Sequence, residues 1–354
     1  MAMEIHIEAV QTVSPFKVTE PRQVHRVSVA DPVPPGVFQR CLNIVFYYNQ
    51  VADEDSGWLA AGWIKESLAR AQAEQPALSG RLRRGEDGRG DLEIVTNDSG
   101  VRLVEAKIPV TMAEFLDVKE GDKDAGTQLV FWKDIDEQNP QYSPLLYVQV
   151  TNFRCGGYSV GISCSLLLAD LLFKNKFLKQ WAEIHNDLVS KTEAVARVPT
   201  FYFPNLKKTN TSPASFFPSS QSKNGGQTMV FTSKTVYPAK EVAMVCIEEA
   251  ELKTGRKIYG EFCLFSREST QVIKVESVRN EVMVQKHWRL SSEVEDSSWD
   301  DLGGNEVAFS EGNKPAHASY WFGTTYPGGE GIVMAFPSPN ESTTEMNIIL
   351  AFPQ

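Results

Sequence analysis

Between Gly161 and Asp170 the chain gathers Ser163, Cys164, Ser165 and Asp170, the side-chain types from which nucleophiles and general bases are made. A serine or cysteine attacks carbon readily only when a neighbouring base takes its proton or its pKa is lowered, and this segment holds no histidine. Gly161-Ile162-Ser163-Cys164-Ser165 ends on serine where the nucleophile elbow of a serine hydrolase needs glycine. Cys164 lies in an apolar run and is expected to be a buried thiol. Asp170 could act as a general base only in a dry channel, where burial would raise its pKa. Of the five histidines, His6, His25 and His287 have no motif around them, and His185 is expected at the surface near the end of a helix. No two histidines have metal-ligand spacing, so no metal is expected. Gly156-Gly157 precedes a strand and opens no helix, so it is a turn and not a phosphate cradle.

The elements that position these residues are strands and one long helix. Leu145–Asn152 and Tyr158–Ser165 are apolar runs of strand length, and Leu172–Val189 has helical periodicity, with Phe173, Phe177, Trp181 and Ile184 on one face. Upstream, strands are expected at Ile5–Val13, Val24–Val29, Asn43–Tyr47, Leu92–Val95 and Val101–Ala106, the last two joined by the turn Asn97-Asp98-Ser99-Gly100. A helix is expected over Gly57–Ala73 and a short one near Met112–Leu116. The basic run Arg81-Leu82-Arg83-Arg84, followed by Glu86 and Asp87, is expected to be a solvated turn. From about Val198 to Gln227 the composition shifts to Pro, Ser, Asn, Lys and Gly without apolar periodicity, as a linker does. Beyond it, Thr228–Thr232, Gly331–Pro337 and Met346–Phe352 are expected strands and Ala239–Thr254 a helix, with Ser338-Pro339-Asn340-Glu341 as a turn.

The 354 residues suffice for two domains with cores of their own. A formal net charge of -10 argues against nucleic acid as a partner, because phosphate binding rests on clustered lysine and arginine. Five scattered cysteines form no disulfide framework and no metal clip. The amino terminus shows no secretory pattern, and no stretch approaches the roughly 18 apolar residues of a membrane span. A reducing, cytoplasmic location is the expectation.

Several of these segments resemble the plant BAHD acyltransferases. The resemblance is carried by Pro76-Ala77-Leu78-Ser79-Gly80-Arg81-Leu82, by Ser143-Pro144-Leu145 leading to Cys155-Gly156-Gly157, by the strand ending at Ser165, by Phe177 with Trp181-Ala182, and by the apolar-Pro-Ser-Pro-apolar pattern from Gly331 onward. It implies an α/β fold of the chloramphenicol acetyltransferase type, with mixed sheets, packed helices and an interdomain channel. It also implies an N-terminal domain over 1–205, a crossover over 206–228 and a shortened C-terminal domain over 229–354. In the family a His-x-x-x-Asp-Gly motif supplies the base that deprotonates an alcohol or amine attacking a coenzyme A thioester. Here Leu166 fills the histidine position, Asp170 the aspartate position and Leu171 the glycine position. By the same resemblance Asp170 is architectural, held by a salt bridge. The family's Asp-Phe-Gly-Trp-Gly turn is matched by Ser319-Tyr320-Trp321-Phe322-Gly323, which agrees only at Gly323. His317, just before that turn, is the candidate stand-in base.

The cleft is expected to present Ser165, Leu166 and Asp170 from the first domain and His317, Tyr320 and Trp321 from the second, with Ser165, Leu166, Tyr320 and Trp321 binding a small acyl or aromatic molecule. No covalently bound cofactor is expected; a coenzyme A thioester would be a co-substrate. Three readings stay open. The first is an accessory or binding protein without acyl turnover, with a protein partner, as in relatives that influence fatty acyl elongation for waxes. The second is an enzyme whose substrate or another residue supplies the proton chemistry, as an acyltransferase or a lyase. The third is a decayed copy that keeps the fold alone.

Overall fold

Apolar runs with few interruptions become strands covered on both faces. β3 (Cys41–Tyr48) and β8 (Tyr158–Ser165) are buried at every position, as expected of strands sandwiched between packed layers. The computed structural model describes residues 4–29, 37–50, 57–85, 91–122, 124–173, 176–192, 226–234, 238–279, 293–323, 331–338 and 345–353. The expected crossover at 206–228 lies almost wholly outside the described residues, as do His287 and the turn positions 339–341.

Along the first half run β1 (His6–Val13), β2 (Val24–Val29), β3, α1 (Gly57–Ala71), β4 (Arg81–Arg84), β5 (Leu92–Val95), β6 (Val101–Ile108), α2 (Met112–Gly121), β7 (Leu146–Phe153), β8, α3 (Asp170–Phe173) and α4 (Phe177–Thr192). The second half adds β9 (Gln227–Ser233), α5 (Ala239–Thr254), β10 (Glu261–Ser269), β11 (Val272–Arg279), β12 (Val294–Ser297), β13 (His317–Gly323), β14 (Gly331–Pro337) and β15 (Met346–Phe352).

Among the described residues these strands form two mixed sheets. One has the order β1-β6-β7-β8-β3-β13 and the other β12-β9-β15-β14-β10-β11-β2-β5-β4. The halves of the sequence therefore trade strands. β2, β4 and β5 join the sheet built from the second half, through the parallel pairing of β2 with β11. β13 goes the other way and pairs antiparallel with β3. The turn Asn97–Gly100 accordingly joins no hairpin. β5 and β6 belong to different sheets, and the turn carries the chain from one to the other.

The expected helix over Leu172–Val189 is in fact two. α3 ends at Phe173, Lys176 adopts a left-handed backbone at φ 55, and α4 begins afresh at Phe177. α2 starts where expected, with Thr111 and Glu114 forming a reciprocal capping box, and runs on past Leu116 to Gly121. In β8, Gly161 is required by close approach, since a Cβ there would meet the Leu129 carbonyl oxygen at 1.9 Å.

The run Arg81–Arg84 is not a solvated turn. It is strand β4, and Arg81 is buried. Its guanidinium donates to the carbonyls of Gly80 at 2.8 Å, Gly100 at 2.9 Å and Ser99 at 3.1 Å. Ser99 and Gly100 lie in the sheet-to-sheet crossing, where no ladder serves their carbonyl oxygens, so the planar fork does it instead. Burial, with Arg102 nearby, brings the Arg81 guanidinium down to about 10. Arg81→Met should cost roughly 2–4 kcal/mol in urea unfolding, because several buried acceptors lose a charged donor. Arg81→Lys should recover less than half of that, since an ammonium cannot span the same carbonyls; full recovery would mean that charge alone matters.

Candidate active site

Strand β8 delivers its chain into a tight turn, Leu166–Ala169, that runs straight into α3. The turn is tied by Ser165 N to the Leu145 carbonyl at 2.9 Å and by Leu168 N to the Ser165 carbonyl at 2.9 Å. The Ser165 hydroxyl accepts from Leu167 N at 3.4 Å. Leu166 is 2% exposed and Ser165 fully buried. In place of an imidazole, the turn carries an alkyl group packed into the main core cluster with its neighbours Leu167 and Leu168.

Asp170 opens α3 and meets Arg267 of β10 in the other sheet. Arg267 Nε donates to Asp170 Oδ2 at 2.5 Å and Nη2 to Oδ1 at 2.8 Å, with the side chains only 6% and 11% exposed. Both carboxylate oxygens are occupied by one guanidinium, a bidentate, charge-assisted pairing that adds geometric specificity to its strength. A carboxylate so held is a clamp between sheets and not a general base. Burial, reinforced by Asp170 and Cys41, drives the Cys164 thiol well above its ordinary range, which leaves it an inert core group.

The expected stand-in base is elsewhere. β3 pairs with both β8 and β13, and Cys41 lies opposite Ser165 and Gly323 while Tyr47 lies opposite Ser159 and His317. His317 is therefore displaced along the sheet from Ser165 by the length from Ser159 to Ser165, roughly 20 Å at the strand rise. It is exposed and cannot reach Asp170. Residues Ser319–Gly323 form part of strand β13 instead of a turn, so Tyr320 and Trp321 point to opposite faces. Tyr320 stacks on Trp299 at 4.6 Å with planes 3° apart and meets Phe46 edge-on. Trp321 packs on the far side with Val45, Tyr47 and Leu129. Ser165, Leu166, Tyr320 and Trp321 thus do not line one binding face.

His185 is likewise not at the surface. It is 3% exposed inside α4, with Nδ1 at 3.2 Å from Ser67 Oγ and its ring edge-on to Phe309. Trp181 Nε1 donates to the same Ser67 oxygen at 2.9 Å. The sequence signal was present: His185 follows Phe177 and Trp181 at helical spacing, on the stripe they bury. Arg267 and Trp299 were not singled out by sequence reasoning, and no local motif surrounds either.

A cavity of about 260 Å³ opens where the start of α4 meets β9, β15 and the turns at 300–306. Among the described residues its charged lining is Lys176, Lys179, Asp300, Asp301, Glu306 and Glu345, four carboxylates against two ammonium groups. Lys179 is paired with Glu306 at 2.7 Å, and Asp301 accepts from Ser298 N at 2.8 Å. None of Ser165, Leu166, Asp170, His317, Tyr320 and Trp321 lines it. Among the described residues no three His, Cys, Asp or Glu side chains are grouped to hold a metal ion, and no helix is long and apolar enough to cross a membrane.

The sequence pattern of the Transferase family matches residues 3–255. The chain belongs to this family, that of the plant BAHD acyltransferases, and has its mixed α/β, two-sheet fold. Among curated proteins, Protein ECERIFERUM 26-like of Arabidopsis thaliana is 33% identical over 146 residues, 40% of this chain and 34% of that protein. A hydroxycinnamoyltransferase of Narcissus pseudonarcissus is 32% identical over 176 residues, 49% of this chain and 37% of that protein. The matched stretches thus span about a third of these relatives' own lengths. Among solved structures, vinorine synthase superposes with a TM-score of 0.47 at 14% identity, over 99% of this chain and 95% of that one.

Two outcomes follow from the site. Asp170→Asn should cost roughly 3–5 kcal/mol in urea unfolding, because it strands a buried guanidinium, while the pair Asp170→Leu with Arg267→Met should lose much less; an unchanged midpoint for Asp170→Asn would remove the clamp. Burial lowers His185 to about 3 from an ordinary 6.5. Its folded-state pKa is depressed, so the unfolded chain binds the extra proton below 6.5 and stability falls as pH drops from there toward 3. Between pH 6.5 and 4.5 the parent should lose about 2–3 kcal/mol more than His185→Phe, measured by denaturant titration at both pH values.

Proposed function

We propose that this chain works without acyl turnover, as a binding or accessory member of its family, of the kind that influences fatty acyl elongation through a protein partner. The observation that carries the reading is the filled base position. Leu166 has no lone pair and lies in the core, and the carboxylate that follows it in the turn, Asp170, is occupied at both oxygens by Arg267. General-base catalysis contributes about 10²- to 10⁴-fold, and no other described side chain at this turn offers it.

The seam cavity supports the same reading. A coenzyme A thioester brings phosphates, which gather where cations outnumber anions, and among the described lining residues the carboxylates outnumber the ammonium groups. Coenzyme A as co-substrate, and any small acyl or aromatic ligand, therefore belong to the rival reading of an active enzyme.

The purified chain, incubated with acyl-CoA esters and alcohol or amine acceptors, should release no thiol above the uncatalysed rate. Leu166→His should restore a trace at most, because Leu171 and Ser319 also depart from the family motifs. Turnover by the unmodified chain at ordinary enzyme rates, ~1 to 10³ per second, would overturn the proposal. Co-expression with a fatty acyl elongation enzyme should change the chain lengths produced; an unchanged product profile would remove the accessory role.

A further inference from the structure

Nucleophile and base do meet in this chain, at the outer end of β13. His317 and Ser319 are two apart on the strand and share a face, and Ser319 Oγ lies 3.2 Å from His317 Nε2. Lys119, in the last turn of α2, donates to Ser319 Oγ at 2.6 Å and lies 2.9 Å from His317 Nε2. An ammonium has donors only, so Nε2 meets it as the bare nitrogen and the imidazole hydrogen sits on Nδ1. Nε2 has one lone pair, which the Lys119 ammonium holds at rest, so Nε2 takes a proton from the serine hydroxyl only as that ammonium turns toward an incoming carbonyl oxygen. The Tyr47 ring backs both partners, 5.3 Å from the His317 ring and 5.0 Å from Lys119 Nζ. His317 is exposed and Ser319 and Lys119 are half-buried, so a reagent in solvent reaches the group.

We propose that Ser319 is an acyl-accepting nucleophile, with His317 as its base and Lys119 as the cation that stabilises developing negative charge. The substrate class is an activated acyl carbonyl, an aryl ester or a thioester. As Ser319 Oγ bonds to the carbonyl carbon, its proton passes to His317 Nε2, and the carbonyl oxygen takes the displaced electron pair beside Lys119 Nζ. Collapse of that intermediate breaks the bond from carbon to the leaving oxygen or sulfur. The leaving group departs with the bonding pair and takes up the proton from His317, and the acyl group remains as an ester on Ser319. Nucleophile with base in hydrogen-bond reach, and a third group beside the base, is the arrangement covalent catalysis uses.

This activity is independent of the base position at Leu166, which lies far along the sheet. It consists of one acyl transfer to the protein, whereas the proposed function concerns turnover onto a separate acceptor, so each can fail alone. The test is incubation of the intact chain with p-nitrophenyl acetate, followed by peptide mass mapping. A burst of nitrophenolate approaching one per chain is expected, with acetate on Ser319. Ser319→Ala should abolish the burst, and His317→Gln should slow it by about 10²-fold or more. Circular dichroism confirms that these surface variants fold. Acetate found on Lys119 alone, or a burst in Ser319→Ala equal to the parent's, would overturn the proposal.

Discussion

The contact on which the two sheets depend is the paired fork between Asp170 and Arg267. It joins the turn after β8 in one sheet to β10 in the other, with both groups withdrawn from water. Desolvating two charges is expensive, and their attraction offsets that cost only when geometry is good and every hydrogen-bonding position is matched. Two parallel N–H donors on two carboxylate oxygens meet most of that requirement. The pair therefore fixes the relative register of the sheets more than it adds stability. An apolar substitute would fill the volume but would accept many sliding positions.

Around that pin the packing is aromatic. Phe336 of β14 stacks on Phe173 of α3 at 5.3 Å, Phe173 leans on Trp299, and Trp299 lies flat on Tyr320 of β13. This column runs from β14 in one sheet to β13 in the other. Large rings confer much contact area with few torsions to freeze, so the column stiffens the interface between the sheets. Leu166 fits the core better than an imidazole would, because a ring nitrogen there would need a hydrogen-bond partner that leucine does not.

How much of this was legible in the sequence depended on range. β2, β5 and β8 follow from period-two alternation or from short apolar runs bounded by turns, and α5 from helical composition ended by Gly255. Leu166 and Asp170 were singled out by motif. Arg267, the partner of Asp170, was not, because nothing near Arg267 announces a carboxylate that is distant in the chain. The opposition of Tyr320 and Trp321 was hidden by taking Ser319–Gly323 for a turn; once those residues are a strand, the pleat decides the matter. His185 was misjudged for a different reason. Its polar type and its place near the end of the expected helix were weighed above its helical spacing from Phe177 and Trp181, which puts it on the stripe they bury.

The exchange of strands between the halves also shapes how the chain comes to be made. β2 carries one edge to β5 and the other to β11, and Val24 emerges from a ribosome long before Val272. At about 5–20 residues per second, that interval is on the order of ten to fifty seconds. Throughout it, β2, β4 and β5 can pair only among themselves, with the β2 edge open to any passing strand. The sheet that unites both halves is thus closed late, by a contact of very high sequence separation, and such topologies fold slowly. The molecule reaches its final form only after a prolonged stage in which its greatest hazard is a wrong neighbour.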